Sequence, residues 1–256
     1  MLSLRWFYVF HVLKGRNKEK DHMVIRLACL VLLFVFLPLK AESVPSQKDL
    51  SHTIETLYSA PELRNNIDYN VLWKAMTGYY ALKNKGMLKN DGILTIIDYN
   101  KPSVKKRLFV IDMDRNRLLA SSLVAHGKNS GQNRAVNFSN VPGSFQSSLG
   151  FFVTDRTYRG KHGYSLRLRG IERGINDNAL KRNIVMHGAD YVSPDFIRKH
   201  GRLGRSHGCP ALPFSEHRQV IDLIKDGSCL FIYHGDRNYV GRSHLLNPGS
   251  SLHNPA

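Results

Sequence analysis

The feature that most constrains the fold is a succession of short strand-like segments that begins near residue 92. Apolar side chains alternate with polar ones or form brief apolar runs, and Gly, Asn, Asp or Pro separates one segment from the next. This pattern favours a mainly β fold, arranged as a sandwich or a barrel-like pair of sheets. The predicted strands are Ile93–Asp98, Leu108–Met113, Leu118–Ala125, Gly150–Thr154, Ser165–Arg169, Ile184–His187 and Cys229–His234.

Two other segments have helical patterns. In residues 51–90, apolar side chains recur at i, i+3, i+4 and i+7, either Asp68 or Asn70 can cap a helix start, and Gly86 follows a basic last turn. We expect this N-terminal helical segment to pack on the β domain, and a lid or docking function is the alternative. One C-terminal helix is predicted from Phe214 to Asp226.

A cysteine and a histidine supply the candidate chemistry. Cys209 ends the tetrapeptide Ser206–Cys209, and His187 ends a predicted strand upstream of it. A thiol near its free pKa is mostly protonated at neutral pH, so Cys209 needs a base, and His187 is the better candidate. The carbonyl of Gly188 can hold the other ring nitrogen of His187 in the useful tautomer. Gly208 allows close backbone approach, and its N–H and that of Cys209 are expected to form an oxyanion hole.

The other site candidates are assigned to the substrate. His207 is too close to Cys209 along the chain to turn its ring onto the thiol, so it is expected to position substrate or shape the pocket. Tyr164 and Ser165 precede a strand expected beside that of His187, so either hydroxyl could reach a substrate carbonyl or simply pack. Arginines around the motif could bind a terminal carboxylate, and these are Arg182, Arg198, Arg202 and Arg205. The substrate-binding candidates are Ser206, Tyr164, Ser165, Arg205 and His126, the last also read as a residue that fixes its loop.

The cysteines argue against disulfide and metal chemistry. Cys229 lies in an apolar strand pattern and is expected to be a buried, inert thiol. A bridge between Cys209 and Cys229 would block the nucleophile, so we discount it except as an inactive form. Two histidines and one cysteine without a carboxylate are an incomplete zinc set, so no metal is expected.

The N-terminus and the charge bear on location and partners. Leu27 to Leu39 is an apolar run after Arg26, shorter than the roughly 20 residues of a membrane span, which predicts an export signal or, alternatively, an uncleaved anchor near the membrane. Met23 begins a more compact version of this signal. The formal net charge is +17, and its simplest interpretation is a solvated basic face. If the charge does bind a partner, an anionic cell-wall polymer or phospholipid suits an exported protein better than nucleic acid does.

Several sequence blocks occur in a fixed order, and these are Val124–Lys128, Phe138–Asn140, Ser147–Gly150, Gly163–Leu166, His187–Gly188 and Ser206–Pro213. With these blocks, the chain from about residue 93 to 236 resembles the YkuD-type L,D-transpeptidase catalytic domain, and most closely the murein L,D-transpeptidase branch. Ala211 departs from the Arg or Asn that many members carry at that position.

The resemblance implies a β-sandwich or mixed sheet, a Cys209 thioester and no cofactor. Cys209 would attack the carbonyl before the terminal D-Ala of a peptidoglycan stem peptide, and an amine of a neighbouring stem would accept the acyl group. An L,D-carboxypeptidase or a catalytically weak cell-wall-binding module are the alternatives. The expected organisation is a signal or anchor in residues 1–41, a linker and helical preface in 42–91, the catalytic domain in 92–240 and a polar tail in 241–256, in the periplasm or another extracytoplasmic space.

Overall fold

One mixed sheet organises residues 47–247, the part of the chain that the computed structural model describes. The predicted signal in residues 1–41 lies outside this range. The strands are β1 (Ile93–Asp98), β2 (Leu108–Asp112), β3 (Arg117–Ser122), β4 (Gly150–Gly160), β5 (Gly163–Gly170), β6 (Val185–Gly188), β7 (Ala211–Leu212) and β8 (Cys229–Tyr233). The helices are α1 (Gln47–Ser59), α2 (Pro61–Arg64), α3 (Tyr69–Asn84), α4 (Pro194–His200), α5 (His217–Ile224) and α6 (Arg237–Arg242).

The strand order across the sheet is β3-β2-β1-β8-β4-β5-β6-β7. Two neighbouring pairs, β1–β8 and β6–β7, are parallel, and the others are antiparallel. The mainly β prediction is confirmed, and within the described residues the strands form a single mixed sheet. All seven predicted strands are present. The eighth, β7, has two residues, too few for a period-2 pattern to be recognised.

The predicted apolar stripe of the N-terminal segment is the buried face of α3. Its members from Val71 to Leu82 belong to the same core cluster as the strand residues Leu94, Phe151 and Phe231. Asp68 caps the helix by accepting hydrogen bonds from the N–H groups of Asn70 and Val71. This packing makes the helical segment part of the domain core.

The C-terminal helices differ in detail from expectation. α5 is shorter than predicted, and its face with Val220, Ile221 and Ile224 is buried. Beyond residue 240, Ser243 and Leu245 are buried, so the packed part of the chain extends into the segment expected to be a polar tail. Within residues 47–247, no helix has the length and apolar character needed to cross a bilayer.

Candidate active site

Strand pairing brings the two motifs together. His187 on β6 pairs with Ser165 on β5 and, in parallel, with Ala211 on β7. Ala211 follows Cys209 by two residues, and the His187 N–H lies 3.4 Å from the Pro210 carbonyl oxygen. The register of a short strand pair therefore puts the backbone of His187 beside the segment that carries Cys209.

The ring of His187 is held as a neutral imidazole. Its Nδ1 lies 2.9 Å from the Gly188 carbonyl oxygen, and because a carbonyl only accepts, Nδ1 carries the proton and donates. Nε2 is then the nitrogen that can accept a proton. Burial lowers the pKa of His187, and the nearby rings of His162 and His217 lower it further against the effect of the Gly188 carbonyl. A neutral imidazole in this tautomer is suited to general-base catalysis.

The thiol of Cys209 is half-buried and free. Its Sγ lies 3.6 Å from the Asn183 carbonyl oxygen, which is placed to accept the S–H. Burial raises the pKa of Cys209, while the Val185 N–H and the positive charge of Arg182 oppose that rise. The resting thiol is therefore protonated, and reaction at neutral pH requires a base.

A tight turn formed by Ser206–Cys209 presents the thiol. Ser206 Oγ donates to the Cys209 carbonyl oxygen at 2.6 Å and accepts the Gly208 N–H at 3.0 Å. The turn is flanked by bridges from Gly127 to Ser206 and from Ala125 to Ala211. Gly208 has φ +121°, a conformation in which a side chain is strained.

These contacts bear on two expectations about the motif. The Gly208 N–H is used inside the turn by Ser206 Oγ, so it is not free to bind an oxyanion in this conformation. The Cys209 N–H has no acceptor among the described residues and remains the candidate donor. Ser206 is buried and its hydroxyl holds the turn, and its assignment to substrate binding stays a prediction.

His207 lies on the surface rather than in the core of the site. Its exposed ring is 4.5 Å from the ring of Phe145, and Lys128 Nζ lies 4.2 Å from the centre of that ring. Its assignment to substrate positioning stays a prediction.

Two substrate-binding candidates on β5 are bonded within the protein. The Tyr164 hydroxyl donates to Asp222 of α5 at 2.7 Å, and the buried Ser165 hydroxyl donates to the Gly163 carbonyl at 3.2 Å. Ser165 is directly beside His187 in the sheet, as expected from its strand. Neither hydroxyl is free to reach a substrate carbonyl without giving up its present bond.

His126 and Arg205 both fix the loop that follows residue 126. His126 is buried, its Nδ1 accepts from Arg107 at 2.8 Å, and its Nε2 donates to the Gly131 carbonyl at 3.3 Å. Burial and the charge of Arg107 lower the pKa of His126 to about 3. Arg205 donates to the carbonyls of Lys128 and Gly131 at 3.1 and 3.0 Å. Both ring nitrogens of His126 are thus bonded within the protein, and Arg205 shares the Gly131 carbonyl with His126. The assignment of both residues to substrate binding stays a prediction.

Sequence reasoning missed one neighbour of the motif, His162, and gave another, Arg182, a different role. The ring of His162, at the β4–β5 turn, stacks on His187 with 4.4 Å between centroids. Arg182, considered only as a carboxylate ligand, acts electrostatically on Cys209. No local pattern marks either residue, because only the sheet register and the loop packing bring them to the site.

An open cleft of about 410 Å³ lies on the His162 side of His187. Within residues 47–247, no cluster of three His, Cys, Asp or Glu side chains is arranged to hold a metal ion. The cleft is lined by Lys161, His162, Gly163, His187, Gly188, Ala189, Asp190, Tyr191 and Phe214.

Comparison with known proteins gives one family match. Residues 63–233 match the family model of the L,D-transpeptidase catalytic domain. No curated protein sequence matches the chain significantly.

Solved structures to which this chain is similar include an L,D-transpeptidase from Mycobacterium smegmatis, 14% identical with a TM-score of 0.35, covering 56% of this chain and 59% of that chain. The helical cell shape determining protein Pgp2 from Campylobacter jejuni is 12% identical with a TM-score of 0.37, covering 56% and 47%. L,D-transpeptidase 1 from Mycobacterium tuberculosis is 12% identical with a TM-score of 0.32, covering 56% and 62%. The chain thus spans less than two thirds of each of these structures.

Proposed function

Because this chain belongs to the L,D-transpeptidase catalytic domain family, we propose that it is an acyltransferase that acts on peptidoglycan stem peptides through a Cys209 thioester. The observation that carries the proposal is the β6–β7 register, which puts His187 beside the segment that holds Cys209. The hydrogen bond from His187 Nδ1 to Gly188 supports the same assignment, because it leaves Nε2 as the proton acceptor.

The proposed acylation begins with proton transfer. His187 Nε2 takes the thiol proton, and Cys209 Sγ attacks the carbonyl carbon that precedes the terminal D-Ala. The Cys209 N–H faces the oxygen that becomes negative in the tetrahedral intermediate. When this intermediate collapses, the C–N bond breaks, D-Ala leaves with the proton from His187, and the thioester remains.

The proposed transfer uses the same groups in reverse. An amine of a neighbouring stem attacks the thioester carbonyl, and His187 Nε2 accepts a proton from it. Collapse of the second intermediate breaks the C–S bond, and the thiolate recovers its proton. If water replaces the amine, the same cycle is an L,D-carboxypeptidase reaction. The open cleft beside His187 supports entry of a second molecule from the side of the base.

We also propose that the domain works outside the cytoplasm, as the family's substrate requires. The sequence pattern of residues 1–41 is the basis for this, and those residues lie outside the described range. Fusing residues 1–41 to a reporter enzyme that is active only after export tests the point. An inactive fusion that accumulates in the cytoplasm would contradict it.

The reaction is tested with a purified tetrapeptide stem, incubated with and without an acceptor amine and analysed by mass spectrometry. We expect cross-linked product when the acceptor is present and its complete loss in Cys209→Ala. Cys229→Ser is the matched control, because Cys229 is the other free thiol in residues 47–247 and is buried in β8. A tripeptide formed equally well with or without acceptor would favour the carboxypeptidase. Turnover that survives in Cys209→Ala would overturn the proposed mechanism.

A further inference from the structure

The guanidinium of Arg182 is held by a set of acceptors from the loop before β4. Nη1 donates to the Ser139 carbonyl oxygen at 2.5 Å and to Ser148 Oγ. Nη2 donates to the Gln146 carbonyl oxygen at 2.6 Å and to Ser144 Oγ at 3.2 Å. Each terminal nitrogen of a guanidinium has two hydrogens, so these four bonds use all of its terminal donors.

The same group lies against the backbone that precedes the nucleophile. A Cβ built on Gly208 would be 3.4 Å from Arg182 Nη2 and 2.7 Å from the Gln146 carbonyl oxygen. Every partner of the guanidinium is neutral, and Arg182 forms no ion pair with a carboxylate in the described part of the chain. A full positive charge is thus fixed next to the turn and is not neutralised there.

We propose that Arg182 is a positioning residue that stabilises the Cys209 thiolate by its charge while it anchors residues 139–148 behind Gly208. This inference rests on the proposed role of Cys209 as the nucleophile. With its terminal donors occupied, the guanidinium does not act as the carboxylate ligand that the sequence suggested. Its contribution is a fixed charge, which is effective because the site is partly shielded from water.

The other groups that face the thiol do not replace this charge. The Val185 N–H is a dipole and helps the thiolate. Tyr99 and Tyr191 interact with Cys209, but burial raises the pKa of each and keeps both neutral. His187, the proposed base, becomes positively charged only when it takes the thiol proton of Cys209. Arg182 is the one permanently charged group of the described residues that lowers the pKa of Cys209.

The test is the pH dependence of Cys209 alkylation by iodoacetamide on the full chain, with the adduct mapped by peptide mass spectrometry. An opposite charge at close range shifts a pKa by about 1–3 units. We therefore expect the midpoint to rise by about 1 pH unit in Arg182→Gln. Arg182→Lys keeps the charge but loses the fork of hydrogen bonds, so we expect its midpoint to stay near that of the wild type.

Two further variants separate charge from folding. Ser144→Asp puts a carboxylate beside the guanidinium and neutralises it without removing Arg182, so its midpoint should rise as in Arg182→Gln, while Ser144→Asn should not change it. This pair of variants tests the effect of the Arg182 charge on Cys209 even if Arg182→Gln does not fold. Arg205→Gln is the control for a nearby arginine that also holds loop carbonyls.

The proposal is overturned if Arg182→Gln, or the Ser144→Asp variant in its place, has the wild-type midpoint. It is equally overturned if Arg182→Lys shifts the midpoint as far as Arg182→Gln, because the hydrogen bonds and not the charge would then be responsible. Alkylation needs no stem peptide, so the shift in its midpoint can be interpreted even if no transpeptidation is found. Likewise, an unchanged midpoint would not contradict transpeptidation by Cys209.

Discussion

Gly208 is the position in the Ser206–Cys209 turn where a side chain would be least tolerated. Its φ of +121° is a conformation in which an L side chain is strained, at a cost of about 1–3 kcal/mol. In Gly208→Ala the new Cβ would also lie 2.7 Å from the main-chain oxygen of Gln146, and forcing extra volume into a packed site costs about 1–3 kcal/mol more. We expect Gly208→Ala to lower the free energy of unfolding by about 2–6 kcal/mol, the sum of the two contributions.

Gly143→Ala is the matched control for this prediction. Gly143 also has a positive φ, +75°, but a Cβ there would meet no atom within 4 Å. We expect it to lose about 1–2 kcal/mol from backbone strain alone. The difference between the two variants isolates the close approach of Gly208 to Gln146.

Urea unfolding gives the free energy of unfolding of both variants, thermal unfolding gives their Tm, and circular dichroism follows both transitions. A loss of 1 kcal/mol lowers Tm by about 2–4 °C in a domain of this size, so Gly208→Ala should melt well below Gly143→Ala. The folded fraction of Gly208→Ala should also alkylate slowly at Cys209, because the turn that presents the thiol has moved. Equal stability of the two variants, within about 0.5 kcal/mol, would refute the reasoning.

Three other predictions concern the histidines and the acyl site. His187→Ala should slow acylation by about 10²–10⁴ and remove the lower limb of the pH–rate profile, since the neutral imidazole is the active form. An alkylating probe that reacts normally with Cys209 in this variant, but slowly in His207→Ala, would instead identify His207 as the base. The pKa of His126 is lowered to about 3 in the folded protein, so the unfolded chain alone gains this proton as the pH falls below about 6.5. Between pH 7 and 4.5 the wild type should lose about 2–3 kcal/mol of stability through this residue, and a fall of the same size in His126→Gln would show that His126 is not the cause. From the family resemblance, a carbapenem should form one covalent adduct at Cys209, seen by intact-protein mass spectrometry and absent from Cys209→Ala; an adduct at Cys229 would contradict the assignment of the acyl site.

Much of the fold could be predicted from local residue patterns. Strands are recognisable because side chains alternate between the two faces of an extended backbone, and β1 begins and ends where the pattern predicts, at Ile93 and Asp98. The apolar face of α3 could also be predicted, because a helix with one buried face repeats its apolar residues every three or four positions. β7 was not predicted, because two residues are too few to show a period. Its pairing with β6 nevertheless places the backbone of His187 beside the segment that carries Cys209.

The strongly periodic elements, the candidate nucleophile Cys209 and the candidate base His187 could therefore be predicted, because each depends on a local residue pattern. Which polar groups meet which partners depends on the tertiary structure. In the folded domain the Gly208 N–H is bonded within the turn, both ring nitrogens of His126 have partners, and the guanidinium of Arg182 lies against Gly208. These contacts join residues far apart in the chain, so their geometry follows from sheet register and loop packing, which no short stretch of sequence contains.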